Sequence, residues 1–108
     1  MTANDIEQAR ALHDRIITLD THNDFSNAKF VDDKNYRMRR KSQVNLPKMD
    51  EGGLDVSWLI VYTGQGPLTD EGFAKAHQQA LTKFDSIHRL TNDIAPEQIE
   101  LALTSDDV

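Results

Sequence analysis

The chain of 108 residues contains no cysteine. Disulfides and thiolate zinc sites are therefore excluded, and any metal centre must be built from His, Asp and Glu. No apolar run approaches the roughly 20 residues that span a bilayer, so no transmembrane segment is expected. The N-terminus, Met1 to Arg10, is polar and acidic, unlike a signal peptide. Cytoplasmic and exported locations both fit. Positive charge is also short: twelve Lys plus Arg stand against eighteen Asp plus Glu, a net charge of −6. Nucleic-acid binding needs a concentrated positive field and is not expected. The one basic cluster, Arg37-Met38-Arg39-Arg40-Lys41 beside Tyr36, reads as a solvated loop. There is no His-Glu-x-x-His sequence and no convincing glycine-rich phosphate loop; Gly64-Gln65-Gly66-Pro67 reads as a turn.

What is present points to a folded α/β segment. Charged residues make up 28% and hydrophobic residues 38%, a balance typical of globular chains. The length allows one domain at most, far below the roughly 250 residues of a complete eight-stranded β/α barrel. Ile6, Ala9, Leu12 and Ile16 recur at helical spacing and predict a helix over about 5–14, with Asn4 or Asp5 as its cap. A strand follows over about 16–22. Alternation puts Ile17 and Leu19 on one face and Thr18, Asp20, His22 and Asp24 on the other. From Asn23 to about Gly53 no periodicity persists; Asn27, Asp32, Asp33, Asn35, Asn45, Pro47 and Gly52-Gly53 mark a long excursion, with a short helical turn over 47–51.

The stretch 54–62, Leu-Asp-Val-Ser-Trp-Leu-Ile-Val-Tyr, predicts the strongest strand, apolar enough from Trp58 to Tyr62 to be central in a parallel sheet. Thr69 or Asp70 then caps a helix over about 70–90, whose stripe is Phe73, Ala76, Ala80, Phe84 and Ile87. Asn92 and Pro96 close it off. Residues 99–104 alternate as a short strand would, while Pro96-Glu97-Gln98 also permits a helical start. Thr104-Ser105-Asp106-Asp107 has the hydroxyl cap and acidic first turn of a helix start, which reads as the front of a longer protein.

His22 and Asp24 are the candidate metal ligands. They stand two residues apart at the end of a strand, and a neutral imidazole and a carboxylate both bind Zn²⁺. Hydrogen bonding between a strand-end histidine and its neighbour is the simpler account of the same spacing. Asp20, on the same face, has two roles open to it: orienting the histidine from behind the metal, or pairing with a buried cation. His77 and His88 are roughly 16 Å apart along their helix, too far to share an ion. His77 reads as a partly buried packing residue. His13 ends the first helix, where a cation favours the carbonyl dipole.

Three segments together resemble the N-terminal part of the membrane (renal) dipeptidase family of zinc peptidases, in the metal-dependent amidohydrolase superfamily. They are Ile17-Thr18-Leu19-Asp20-Thr21-His22-Asn23-Asp24-Phe25, then Val44 to Leu54 with its Asn-Leu-Pro and Gly-Gly, then Val56 to Gly66. The resemblance implies an α/β fold, the opening β/α units of an eight-stranded barrel that is incomplete in this chain. It also implies two zinc ions at the C-terminal strand ends, with His22 and Asp24 on one of them. The bridging glutamate and further histidines of such a site would come from later strands. Glu71, Glu97 and Glu100 are spare carboxylates outside any matching segment, and Asn45 stands where the family often has aspartate. The implied activity is hydrolysis of dipeptides, in microbial members often with a D-residue at the C-terminal side. These 108 residues alone are expected to be an inactive or poorly active fragment. Two rival readings stand beside it: another metal-dependent amidohydrolase, and a small non-catalytic α/β interaction domain. Open sheet edges make homo-oligomerisation a hazard for this chain, under the fragment reading as well as the second rival.

Overall fold

The computed structural model describes residues 2–31 and 34–108; Met1, Asp32 and Asp33 lie outside the described residues. Helix α1 runs Ala3–His13, and its cap is Thr2, not Asn4 or Asp5. The Thr2 hydroxyl accepts the Asp5 amide while the Asp5 carboxylate accepts the Thr2 amide, a reciprocal pair that holds the Asp5 carboxyl below its ordinary range. No α1 residue is buried.

Strand β1 (Leu19–Asp24) and strand β2 (Val56–Ile60) form a two-stranded parallel sheet. Leu19 lies opposite Val56 and Asp24 opposite Ile60. Ile16 and Ile17, expected inside the first strand, stay outside it: the ladder begins with Leu19 opposite Val56, and ahead of Val56 the chain is turning out of the preceding helix at Gly53. Instead the ladder runs on through the polar end of β1. The sheet opens on a lock between Thr18 and Asp55. Asp55 Oδ2 accepts the Thr18 amide at 2.8 Å, and the Thr18 hydroxyl accepts the Asp55 amide at 2.9 Å. The first of these bonds is the main reason that the Asp55 carboxyl lies below its ordinary value.

The long excursion holds most of the core. It contains a 3₁₀ turn at Asn27–Lys29 and helix α2 (Leu46–Gly52). Phe30 is 2% exposed, with its ring centroid 4.9 Å from both Phe25 and Tyr36. Asn45 is fully buried: its amide nitrogen donates to the Arg40 carbonyl and the Ser42 hydroxyl, and its Oδ1 accepts the Lys48 amide to cap α2. Gly53 ends α2 at φ 64°, in the left-handed region, and the His13 ring lies 2.8 Å from where a Cβ would stand.

Helix α3 (Asp70–Arg89) is capped by Thr69 and passes into a π-helical turn at Leu90–Ile94, where Leu90 and Ala95 complete the core. The covered line along α3 differs from the expected stripe. Ala76, Ala80, Lys83 and Ile87 are buried or half-buried, whereas Phe73 and Phe84 are exposed. Their spacing of four, three and four residues is that of a helix seam, with a lysine in one apolar place.

Two expectations about strands are corrected. β2 has one partner, β1, and Trp58 is 57% exposed, so among the described residues it is an edge strand. Residues 99–104 form no strand and leave the outer edge of β2 unpaired among the described residues. The helix start at Thr104 yields one 3₁₀ turn, Ser105–Asp107, closed by a Thr104–Asp107 capping box. The radius of gyration is 17.0 Å, against about 13 Å for a compact domain of this length.

Candidate metal site

The site stands at the C-terminal end of the sheet, where β1 outruns the apolar part of its sequence. Between Asp20 and Asn23 the register slips by one: three steps along β1 match two along β2 from Ser57 to Leu59. This extra residue is a β-bulge, and it breaks the expected alternation. Asn23 takes the buried place, with its Nδ2 donating to the Ser57 hydroxyl at 3.1 Å. His22 and Asp24 flank it on the outside, and Asp24 sits level with Ile60 at the end of the ladder.

The two candidate ligands meet. His22 Nε2 lies 3.1 Å from Asp24 Oδ2, and the side chains are 65% and 62% exposed. At that exposure the pair adds on the order of 0–1 kcal/mol to folding, so stability gives little reason for it. Two donors on neighbouring corners of a zinc tetrahedron are about 3.3 Å apart, close to the observed spacing. The donor set therefore fits an edge of a zinc site. Asp20 Oδ1 accepts the backbone amide of His22 at 3.0 Å, so it fixes the main chain at the bulge rather than the imidazole.

Other candidates do not converge here. Among the described residues no group of three or more His, Asp or Glu side chains is placed to hold an ion. His77 is exposed on α3 rather than partly buried, and His88 is exposed near its C-terminal end. Glu97 is taken by Arg37, 2.6 Å away, and Glu51 by Arg39, whose hydrogen bond pulls the Glu51 carboxyl below its ordinary value. The basic cluster is exposed, as a solvated loop should be.

Two residues that sequence reasoning passed over support the site. Asn23 carries no signal of its own, since only the bulge brings it inward. Lys83 does carry one, a charge on an apolar seam. Its Nζ donates to the Phe25 carbonyl at 3.2 Å and stands 4.7 Å over the Phe25 ring. One turn on, the Ser86 hydroxyl is 3.3 Å from Asn27 Oδ1. The chain leaving β1 is thus tied to α3 at two points.

Residues 6–108 match the family model of the membrane dipeptidases, peptidase family M19. Comparison with curated proteins and with solved structures gave no match.

Proposed function

From the premise that the chain belongs to the membrane dipeptidase family, we propose that it serves metal-dependent hydrolysis of dipeptides, with His22 and Asp24 as zinc ligands. The convergence of His22 Nε2 and Asp24 Oδ2 at the exposed strand end carries this reading. A bound zinc pair supplies a water acidic enough to ionise near neutral pH and a Lewis acid for the amide carbonyl. The chain's own residues prepare the place. Asn23 is anchored inward on Ser57, so its two neighbours stay outside. Asp20 holds the His22 amide and with it the bulge. The His22 Nε2 must give up its proton to bind metal, so the His22–Asp24 hydrogen bond and metal binding exclude one another.

A catalytic zinc takes three protein ligands, and the described residues offer two at this point. The 108 residues by themselves are therefore expected to turn over no dipeptide. Zinc content after dialysis tests both halves of the reading. The chain should retain well under one zinc, and His22→Ala and Asp24→Ala should each abolish the weak binding that remains. Identical zinc responses in the parent and both variants would sink the ligand assignment. Near two zinc per chain would instead show that the centre is completed within these residues or between copies.

One observation favours the rival reading of a non-catalytic interaction domain. Ile17, Leu19, Trp58 and Tyr62 are all more than half exposed around the small sheet, and apolar patches of this kind mark contact surfaces. That reading needs no metal, so the same zinc measurement separates the two.

A further inference from the structure

We propose that Lys83 is a positioning residue for the His22–Asp24 pair, acting from α3 through the chain that leaves β1. The inference rests on the metal reading above for its purpose, but its geometry stands alone. Lys83 occupies a seam position of α3 between Ala80 and Ile87, and it is half-buried there. An ammonium placed on a covered seam costs desolvation unless it is bonded. Its partner is the carbonyl of Phe25, the residue directly after Asp24. The same nitrogen lies over the Phe25 ring, which packs at a tilt against Phe30, itself tilted against Tyr36.

The consequence follows from connectivity. Asp24 is held on one side by the ladder to Ile60, with Asn23 bonded to Ser57. On its other side the first fixed point is Phe25, buried to 7% exposure and gripped by Lys83 through both its carbonyl and its ring. The Asp24 backbone is therefore pinned at both ends while its side chain, paired with His22, stays exposed. Removing the lysine leaves that end held by ring packing alone, and the carboxylate then loses its fixed distance to the imidazole. An arginine keeps the charge and the donors, and can still stack on the ring.

The His22 ring reports the outcome directly, by ¹⁵N NMR of the full chain without metal. In Lys83→Met the ring nitrogen shifts should move toward those of Asp24→Asn, in which the carboxylate is gone. Lys83→Arg should return them to the parent values. A lysine that merely stabilised the fold would lower the unfolding temperature and leave these shifts unmoved well below it. Zinc titration should then show affinity weakened about tenfold in Lys83→Met, the scale seen when groups supporting metal ligands are removed, and restored in Lys83→Arg. Unmoved ring shifts in a folded Lys83→Met overturn the proposal, whatever the metal does. If His22→Ala takes up zinc as the parent does, the metal reading fails, and the ring shifts still decide the role of Lys83. Should Lys83→Met not fold, Phe25→Leu decides: it keeps the carbonyl but removes the ring, and should displace the shifts in the same direction by a smaller amount. Parent shifts in that variant overturn the proposal.

Discussion

The segment after β1 and the strand β2 exchange the roles that their compositions suggest. The stretch 25–46 is rich in polar side chains and its described residues are largely irregular, yet it supplies Phe25, Phe30, Tyr36, Asn45 and Leu46 to the buried core. β2 is the most apolar run of the chain, yet Trp58 is more than half exposed. The difference lies in partners. Phe30 is enclosed because Phe25, Tyr36 and the end of α3 surround it, brought together by turns and by the Tyr36 carbonyl accepting the Leu46 amide. Hydrophobicity states what a segment gains by burial, and the rest of the chain decides whether a covering surface exists.

The sharpest way to break this comparison is truncation on each side. Phe30→Ala should cost about 3–5 kcal/mol, the range for a buried aromatic leaving a cavity, enough to unfold a marginal chain. Trp58→Ala should change stability by under about 1 kcal/mol, since little of its surface is removed from water. Urea unfolding of both variants checks the contrast. Equal losses would show that the sheet flank is covered in solution, by another copy for instance.

Helix α3 was legible in the sequence because its signals are local: a Thr69 cap, acidic first-turn residues and a periodic stripe. Even there the seam turned out to run through Lys83 rather than Phe84, since a period fixes a helix but not which side meets a neighbour. The pairing of β1 with β2 was readable in outline, from two runs separated by a long excursion. Its bulge was not, because an extra residue shows itself only against a partner strand. The core of residues 25–46 was the least readable. Phe25, Phe30 and Tyr36 follow neither a helical nor a strand period, and their contacts depend on turn geometry.

A smaller effect sharpens the comparison at the junction of the two regions. Gly53 joins α2 to β2 at positive φ with the His13 ring against it. Gly53→Ala should cost about 1–2 kcal/mol through the left-handed backbone, measurable as a lowered thermal midpoint. Most of that loss should persist when His13 is also truncated to Ala, because strain at φ 64° does not depend on the ring.

The smallest expected effect concerns the lock at the start of the sheet. The folded Asp55 carboxyl titrates below its ordinary value because it accepts the Thr18 amide. Its contribution is therefore complete above the unfolded aspartate value, about 3.9, and is lost as pH falls through the lower folded value. Amide exchange at Val56, whose N–H donates to the Thr18 carbonyl, should quicken relative to α3 amides as the solution is acidified. In Asp55→Asn that acid-dependent excess should disappear.

The bulge in β1 makes the candidate site a matter of counting. Remove one residue between Asp20 and Asn23, and the two strands would march in step. With Thr21 gone, Asn23 would still lie opposite Leu59 and point inward, with His22 and Asp24 outside, because the bulge is what absorbs the extra residue. What the extra residue changes is the company of the pair: strict alternation would put Asp20, His22 and Asp24 on one face, and the bulge sets Asp20 on the face of Asn23 instead. A change of length at the bulge is thereby absorbed locally, and the outward pair survives a deletion that would put a regular strand out of phase.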